Sequence, residues 1–259
     1  MNKQNNDTKK INNLAHYIKN HDFEKALDIL CLSDLDEKNI KTVIDYLIKC
    51  GESEILEFSI YLYTVERKML VSKYFPEIFT KLFSNQPVRI KNKYYNSLQL
   101  KLGTEPDSDG DRSAYGSDPS FPVSLPFPDR FLWIIKFAID SNGRNYFRIE
   151  NKYYSSLQLK LGTKSDSDGD HSVYGSNPSS SVSLPLPDRF LWQLKIDSTD
   201  IGPDGSERTY FRIENKHYSS LQLKLGTKSD SDGDHSVYGS DPSFSVSLPL
   251  PDRFLWSLE

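Results

Sequence analysis

Phe147-Arg148-Ile149-Glu150-Asn151-Lys152, followed by Ser156-Leu157-Gln158-Leu159-Lys160-Leu161-Gly162 and closed by Phe190-Leu191-Trp192, is a unit that this chain uses three times. An earlier copy starts at Val88-Arg89-Ile90-Lys91-Asn92-Lys93 and closes at Phe131-Leu132-Trp133, and a later one runs from Phe211-Arg212-Ile213-Glu214-Asn215-Lys216 to Phe254-Leu255-Trp256. Self-similarity of this kind marks a repeat architecture and outranks every local signal. Within the unit, Phe147 and Ile149 alternate with Arg148 and Glu150, and Leu157, Leu159 and Leu161 alternate with Gln158 and Lys160. That is the period of half-buried strands, whose side chains point to opposite faces in turn.

Each copy holds two further expected strands, typified by Ser172-Val173-Tyr174-Gly175 and Phe190-Leu191-Trp192-Gln193-Leu194, which gives about twelve short strands in all by the spacing of turn signals. The closed arrangement these favour is a β-trefoil over 86–259, with repeats of about 86–143, 144–207 and 208–259. The interval from Trp192 to Trp256 exceeds that from Trp133 to Trp192, and the extra length falls in Ser198-Thr199-Asp200-Ile201-Gly202-Pro203-Asp204-Gly205. An insert so polar reads as a surface loop.

Ahead of the repeats, Ile11, Leu14, Ala15 and Ile18 recur at helical spacing, as do Phe23, Ala26, Leu27, Leu30 and Cys31. Asp36 is placed to cap a third helix that buries Ile40, Val43, Ile44 and Leu47 and stops at Gly51. Ser53 and Glu54 open a fourth with Phe58, Leu62 and Val65 inward, and a last helix around Val71 to Phe83 must bend near Pro76. The chain is thus read as α + β multidomain, with an all-α domain over 10–85 behind a disordered leader at 1–9. Cys31 and Cys50 read first as small buried hydrophobes, with a disulfide or a metal site as the alternative. No cofactor is expected.

The chain has 259 residues, a formal net charge of −4 and a pI near 5.8. It is long enough for two cores and offers no basic field for a phosphate backbone, so nucleic acid is not an expected partner. No run approaches the roughly 18 apolar residues of a membrane-spanning helix. The charges near the N-terminus are not followed by an apolar stretch of the secretory type. On that ground the chain is expected in the cytoplasm, unless a signal has been lost.

Leu70-Val71-Ser72-Lys73-Tyr74-Phe75-Pro76, then Val88-Arg89-Ile90, Tyr94-Tyr95-Asn96, Leu98-Gln99-Leu100-Lys101-Leu102-Gly103 and Ala114-Tyr115-Gly116, carry a resemblance. The sequence resembles the lepidopteran low-molecular-weight, thirty-kilodalton haemolymph lipoproteins over nearly its whole length. The resemblance implies a helical N-terminal domain of VHS-like topology before a β-trefoil. It also implies an extracellular, non-enzymatic storage or carrier protein that associates with lipid or glycan.

Three groups of residues are candidates for chemistry. Asp107, Asp109 and Asp111, repeated as Asp166, Asp168 and Asp170 and as Asp230, Asp232 and Asp234, suit Ca²⁺ as hard oxygen ligands. Their glycine precedes the third aspartate and no bidentate glutamate follows at the required distance, so a solvated hairpin turn is the first reading. Tyr95, Tyr154 and Tyr218 on the first turn, with Tyr115, Tyr174 and Tyr238 on the third strand, offer flat rings to a pyranose, although residues so placed are more often packing residues. Lys101, Lys160 and Lys224 stand where a ricin-type sugar site needs a carboxylate, and an ammonium cannot accept hydrogen bonds. Trp133, Trp192 and Trp256 are expected in the core, and Asn92, Asn151 and Asn215 as braces of the adjoining turn. Leu125-Pro126-Phe127-Pro128-Asp129-Arg130 and its copies Leu184 to Arg189 and Leu248 to Arg253 read as extended polyproline connectors.

No nucleophile motif of a hydrolase and no Walker motif appears. The expected function is storage or carriage. A multivalent lectin-like module and an intracellular interaction protein are the alternatives. If glycans bind, copies two and three should behave alike and copy one differently, since Arg112 stands for His171 and His235, Glu105-Pro106 for Lys-Ser, and Phe127 for Leu186 and Leu250.

Overall fold

The structure is a computed structural model that describes residues 2–32, 34–120, 128–179, 187–201, 205–244 and 251–259. The chain forms two compact units, Met1–Ser84 together with Lys195–Thr209, and Asn85–Leu194 together with Tyr210–Glu259.

The first unit contains α1 (Asn2–Lys19), α2 (Phe23–Leu32), α3 (Glu37–Lys49), α4 (Glu54–Thr64), α5 (Lys68–Tyr74) and α6 (Glu77–Ser84). Leu14 and Ile18 of α1, Ile44 and Leu47 of α3, Phe58 of α4 and Phe79 of α6 are fully buried. Each helix thus places one apolar stripe against the others. Asp36 caps α3 by accepting from the Lys38 N–H at 3.3 Å. Gly51 follows α3 with φ +70, and a Cβ there would lie 2.7 Å from the Asp197 carbonyl oxygen, so both the backbone and the space require glycine.

Helix α1 begins at Asn2, inside the stretch read as a leader. Three expectations need correction in this unit. Pro76 does not bend one helix but separates two, and Phe75 before it takes extended angles (φ −98, ψ 156), as proline demands of its predecessor. Val65 ends α4 as its C-cap instead of facing inward. Cys31 and Cys50 are free and exposed. The buried stripe of α2 narrows to Ala26 and Leu30, and Cys50 lies just beyond α3.

The strands are β1 (Pro87–Asn92), β2 (Gln99–Leu102), β3 (Arg112–Ser117), β4 (Leu132–Ile139), β5 (Asn145–Asn151), β6 (Gln158–Ser165), β7 (His171–Ser176), β8 (Trp192–Ile201), β9 (Glu207–Asn215), β10 (Gln222–Ser229), β11 (His235–Ser240) and β12 (Trp256–Leu258). Six of them pair in a closed ring, β1 to β4 to β5 to β8 to β9 to β12 and back to β1. The others form the hairpins β2–β3, β6–β7 and β10–β11. Their second strands β3, β7 and β11 pair with one another in a triangle. Closure of the ring leaves it without an exposed edge.

The insert after β8 is not simply a loop. β8 extends to Ile201 and β9 begins at Glu207, because Ser198, Thr199 and Asp200 continue the extended backbone already set by β8. Lys49 Nζ lies 3.1 Å from the Glu207 carboxylate within the first unit. The described parts of the proline-rich connectors, Pro128–Phe131, Pro187–Phe190 and Pro251–Phe254, are short 3₁₀ helices and not extended segments. Proline's fixed φ suits the first position of a helical turn equally well. The remainder of each connector lies outside the described residues.

Trp133, Trp192 and Trp256 are fully buried. Their indole N–H groups donate to the carbonyls of Leu100, Leu159 and Leu223 at 2.8, 3.0 and 2.9 Å. Each tryptophan thereby ties the last strand of a copy to that copy's hairpin. Around the triangle, Leu102 covers Gly175, Leu161 covers Gly239 and Leu225 covers Gly116. A Cβ on these glycines would lie 2.3, 2.3 and 2.4 Å from the leucine Cδ1.

Candidate functional site

The first turn of each copy is built around a buried asparagine. Asn92 Oδ1 accepts from the backbone N–H groups of Tyr94 and Tyr95 at 3.1 and 3.3 Å, and its Nδ2 donates to the Arg253 carbonyl at 3.0 Å. Asn151 does the same for Tyr153 and Tyr154 at 3.1 and 3.0 Å and reaches the Arg130 carbonyl. Asn215 serves His217 and Tyr218 and reaches the Arg189 carbonyl. The expected bracing role is therefore what these side chains perform. A buried amide with its groups satisfied fixes a local geometry strongly.

The tyrosines that follow face the neighbouring copy rather than open solvent. Tyr154 lies against Arg112, whose guanidinium carbon is 4.3 Å from the ring centroid. Tyr218 packs on His171 and Tyr95 on His235, each with centroids 4.7 Å apart. Those cationic or imidazole groups are themselves anchored. Nδ1 of His171 and of His235 lies 2.9 Å from the carbonyls of Gly162 and Gly226, and Arg112 donates to the Thr104 carbonyl.

The acidic loops divide their carboxylates among three tasks. Oδ1 of Asp107 accepts from the N–H groups of Asp109 and Asp111 at 2.9 Å each. Asp166 and Asp230 repeat the pattern, an Asx turn in which the side chain replaces a backbone acceptor. Asp109, Asp168 and Asp232 are exposed. Asp111, Asp170 and Asp234 pair with Lys160, Lys224 and Lys101, each lysine belonging to the next copy around the ring. Among the described residues no three His, Cys, Asp or Glu side chains converge in a metal-holding group.

Lys160 and Lys224 also donate to Ser176 and Ser240 at 3.0 and 2.8 Å. Each lies 5.9 Å from the ring centroid of Tyr174 or Tyr238. Tyr115, Tyr174 and Tyr238 are half-buried, with ring carbons 3.1 Å from where a Cβ would stand on Gly103, Gly162 and Gly226. The structure thus sets the expected residues at three junctions between copies, where Tyr95, Tyr154 and Tyr218 meet His235, Arg112 and His171 and the third aspartate of each loop meets a lysine.

The residues left facing solvent are the neighbours that the sequence reading passed over. Tyr94 and Tyr153 are 41% and 43% exposed. They stand edge-on to Tyr95 and Tyr154 at 4.6 and 4.7 Å, as His217 does to Tyr218 at 4.5 Å. Beside them run the ion pairs Lys93–Asp252 at 3.5 Å and Lys152–Asp129 at 3.1 Å. In the third copy Lys216 is shared between Asp188 at 2.8 Å and Asp140 at 3.0 Å. Burial opposes the charge on Lys216, but the two carboxylates outweigh it and raise its pKa. The Arg144 backbone N–H, aided by Lys216 and the Asn142 N–H, holds the Asp140 carboxyl below the usual aspartate value. The doubling of aromatic residues at Tyr94-Tyr95 and Tyr153-Tyr154 was the available sequence signal: only one ring of each pair can face the neighbouring copy.

No helix among the described residues is long and apolar enough to cross a membrane. Among solved structures, a mosquitocidal holotoxin shares 20% identity at a TM-score of 0.43, covering 68% of this chain and 17% of that one. An agglutinin from Rhizoctonia solani shares 13% at 0.41, covering 68% and 95%. Likenesses this distant carry no argument. Sequence comparison is more decisive. Microvitellogenin of Manduca sexta is 30% identical over 220 residues, 85% of this chain and 78% of that protein. Low molecular mass lipoprotein PBMHPC-23 of Bombyx mori is 28% identical over 219 residues, 84% and 74% of the two. Residues 8–186 match the family described as lepidopteran low molecular weight (30 kD) lipoprotein, and the chain belongs to that family.

Proposed function

We propose that this chain is a non-enzymatic storage or carrier protein, acting outside the cell and binding lipid or glycan. Its β part is a β-trefoil of three repeats and its helical part is VHS-like. The observation that carries the function is membership of the lipoprotein family across residues 8–186. The trefoil reading rests on a closed ring of six strands and three hairpins joined in a triangle. The non-enzymatic reading is supported by the way Lys160, Ser176 and Asp111 hold one another at the junctions. In that arrangement the lysine donates to both the carboxylate and the serine hydroxyl.

Native protein purified from its source without detergent, extracted and examined by mass spectrometry, tests the lipid reading. Stoichiometric lipid supports it, and protein free of lipid removes it. Comparing haemolymph or culture medium with cytosol by immunoblot tests the extracellular assignment.

A second reading, a multivalent lectin-like module, is favoured by one observation: the repeated turn that holds an exposed tyrosine beside an ion pair in two copies.

A further inference from the structure

We infer that the chain carries two related subsites for neutral hexopyranoses, one at Tyr94 with Asp252 and Lys93 and one at Tyr153 with Asp129 and Lys152. The inference rests on the glycan reading above and assigns its site. It departs from the sequence expectation twice: the rings are not Tyr95, Tyr154 and Tyr218 or Tyr115, Tyr174 and Tyr238, and the matching copies are one and two, not two and three.

The turn is rigid before any ligand arrives. Asn92 and Asn151, both buried, hold the backbone N–H groups of Tyr94 and Tyr153 at 3.1 Å. The Tyr94 N–H also lies 3.3 Å from the Asp252 carbonyl oxygen, which places that aspartate at the same turn. Tyr95 and Tyr154 support the exposed rings from the side. A platform fixed in this way loses little entropy on binding.

The chemistry beside each ring suits a sugar. An exposed aromatic face matches the apolar C–H face of a pyranose, and a tyrosine keeps one polar edge in water. Asp252 and Asp129 are each 43% exposed at the side chain, so lone pairs not turned to the lysine remain open to sugar hydroxyls. The lysine ammonium supplies donors to ring or hydroxyl oxygens. Each pair sums to no net charge, so the site has no preference for an anionic glycan.

The third copy departs at the same position. His217 replaces the tyrosine with a smaller and more polar ring. Lys216 is shared by Asp188 and Asp140, so a second carboxylate takes up one of its donors; its side chain is 15% exposed, against 20% for Lys93 and 39% for Lys152.

The test is titration calorimetry of the full chain with neutral trisaccharides of glucose, mannose or galactose, and with 3′-sialyllactose as the anionic probe. At least one neutral trisaccharide is expected to bind at two per chain. Tyr94→Ala and Tyr153→Ala should each remove one site, and the double variant should remove both while its melting temperature matches the parent's. Tyr153→Phe keeps the ring and should keep the site, and His217→Ala should leave the stoichiometry at two. Undiminished binding by a folded double variant would overturn this site while leaving the glycan reading in place. Tighter binding of 3′-sialyllactose than of any neutral probe would overturn the assigned sugar class. If no probe binds the parent at millimolar concentration, the glycan reading itself falls.

Discussion

Trp192 is fully buried, and its indole N–H donates to the Leu159 carbonyl. Replacing it by alanine removes a large packed ring and leaves that carbonyl unpaired. Trp192→Ala should therefore destabilise the fold by about 3–5 kcal/mol in urea unfolding. A variant as stable as the parent would remove the tryptophan from the core. Gly175 is a subtler case, because the side chain that excludes a methyl group there, Leu102, belongs to a different copy. Gly175→Ala should cost about 1–3 kcal/mol by overpacking, and adding Leu102→Ala should recover part of the loss. The tryptophan's burial was legible in the repeated Phe-Leu-Trp run. The glycine's task was not, since it depends on a contact made across copies.

At the scale of strands and turns, the copies are joined by one recurring arrangement: Asp111 with Lys160, Asp170 with Lys224, and Asp234 with Lys101. Side-chain exposure of Asp111 and Lys160 is only 13% each, so removal of one partner leaves a poorly hydrated charge. Lys160→Met should cost about 1–3 kcal/mol, and the double variant with Asp111→Asn should cost less than the sum of the two singles. A strictly additive pair in a double-mutant cycle would show that the ion pair does not couple the copies. Asp140, between β4 and β5, makes a pH-dependent contribution. Its folded pKa is lowered, first by the Arg144 N–H. Its stabilisation is thus present above the unfolded carboxylate value of about 3.9 and is lost as pH falls through the lower folded value. Asp140→Asn should be less stable than the parent at neutral pH, and the gap should close in acid. Urea midpoints measured across that range check the sign.

For the whole molecule, the closed strand ring sets which loops meet. The acidic loops meet lysines of the next copy, and their first aspartates are engaged by backbone N–H groups. Millimolar Ca²⁺ should accordingly leave the melting temperature unchanged, because a ligand raises it only by binding the folded state preferentially. A calcium-dependent rise that Asp168→Asn abolishes would make the loops metal sites. Read from their residues, these loops favoured a turn over a cation site, because the glycine precedes the third aspartate and no bidentate glutamate follows, although both uses share closely spaced carboxylates around a glycine. The choice depends on where Asp111, Asp170 and Asp234 turn, which is set by strands far away in the chain.

The sequence by itself determined the order of helices before strands, the threefold recurrence, the burial of Trp133, Trp192 and Trp256, and the bracing role of Asn92, Asn151 and Asn215. These follow from periodicity, side-chain size and local hydrogen bonding, all of which act within a few residues. Tertiary structure alone decided that Tyr95, Tyr154 and Tyr218 pack between copies while Tyr94 and Tyr153 face solvent, and that the exposed tip of the third copy differs through Lys216 and Asp140. It also decided that Cys31 and Cys50 lie outside the core. The physical reason is common to all of them. Adjacent residues in a turn have nearly the same local propensities, and which one is covered depends on the surface that ring closure brings against it.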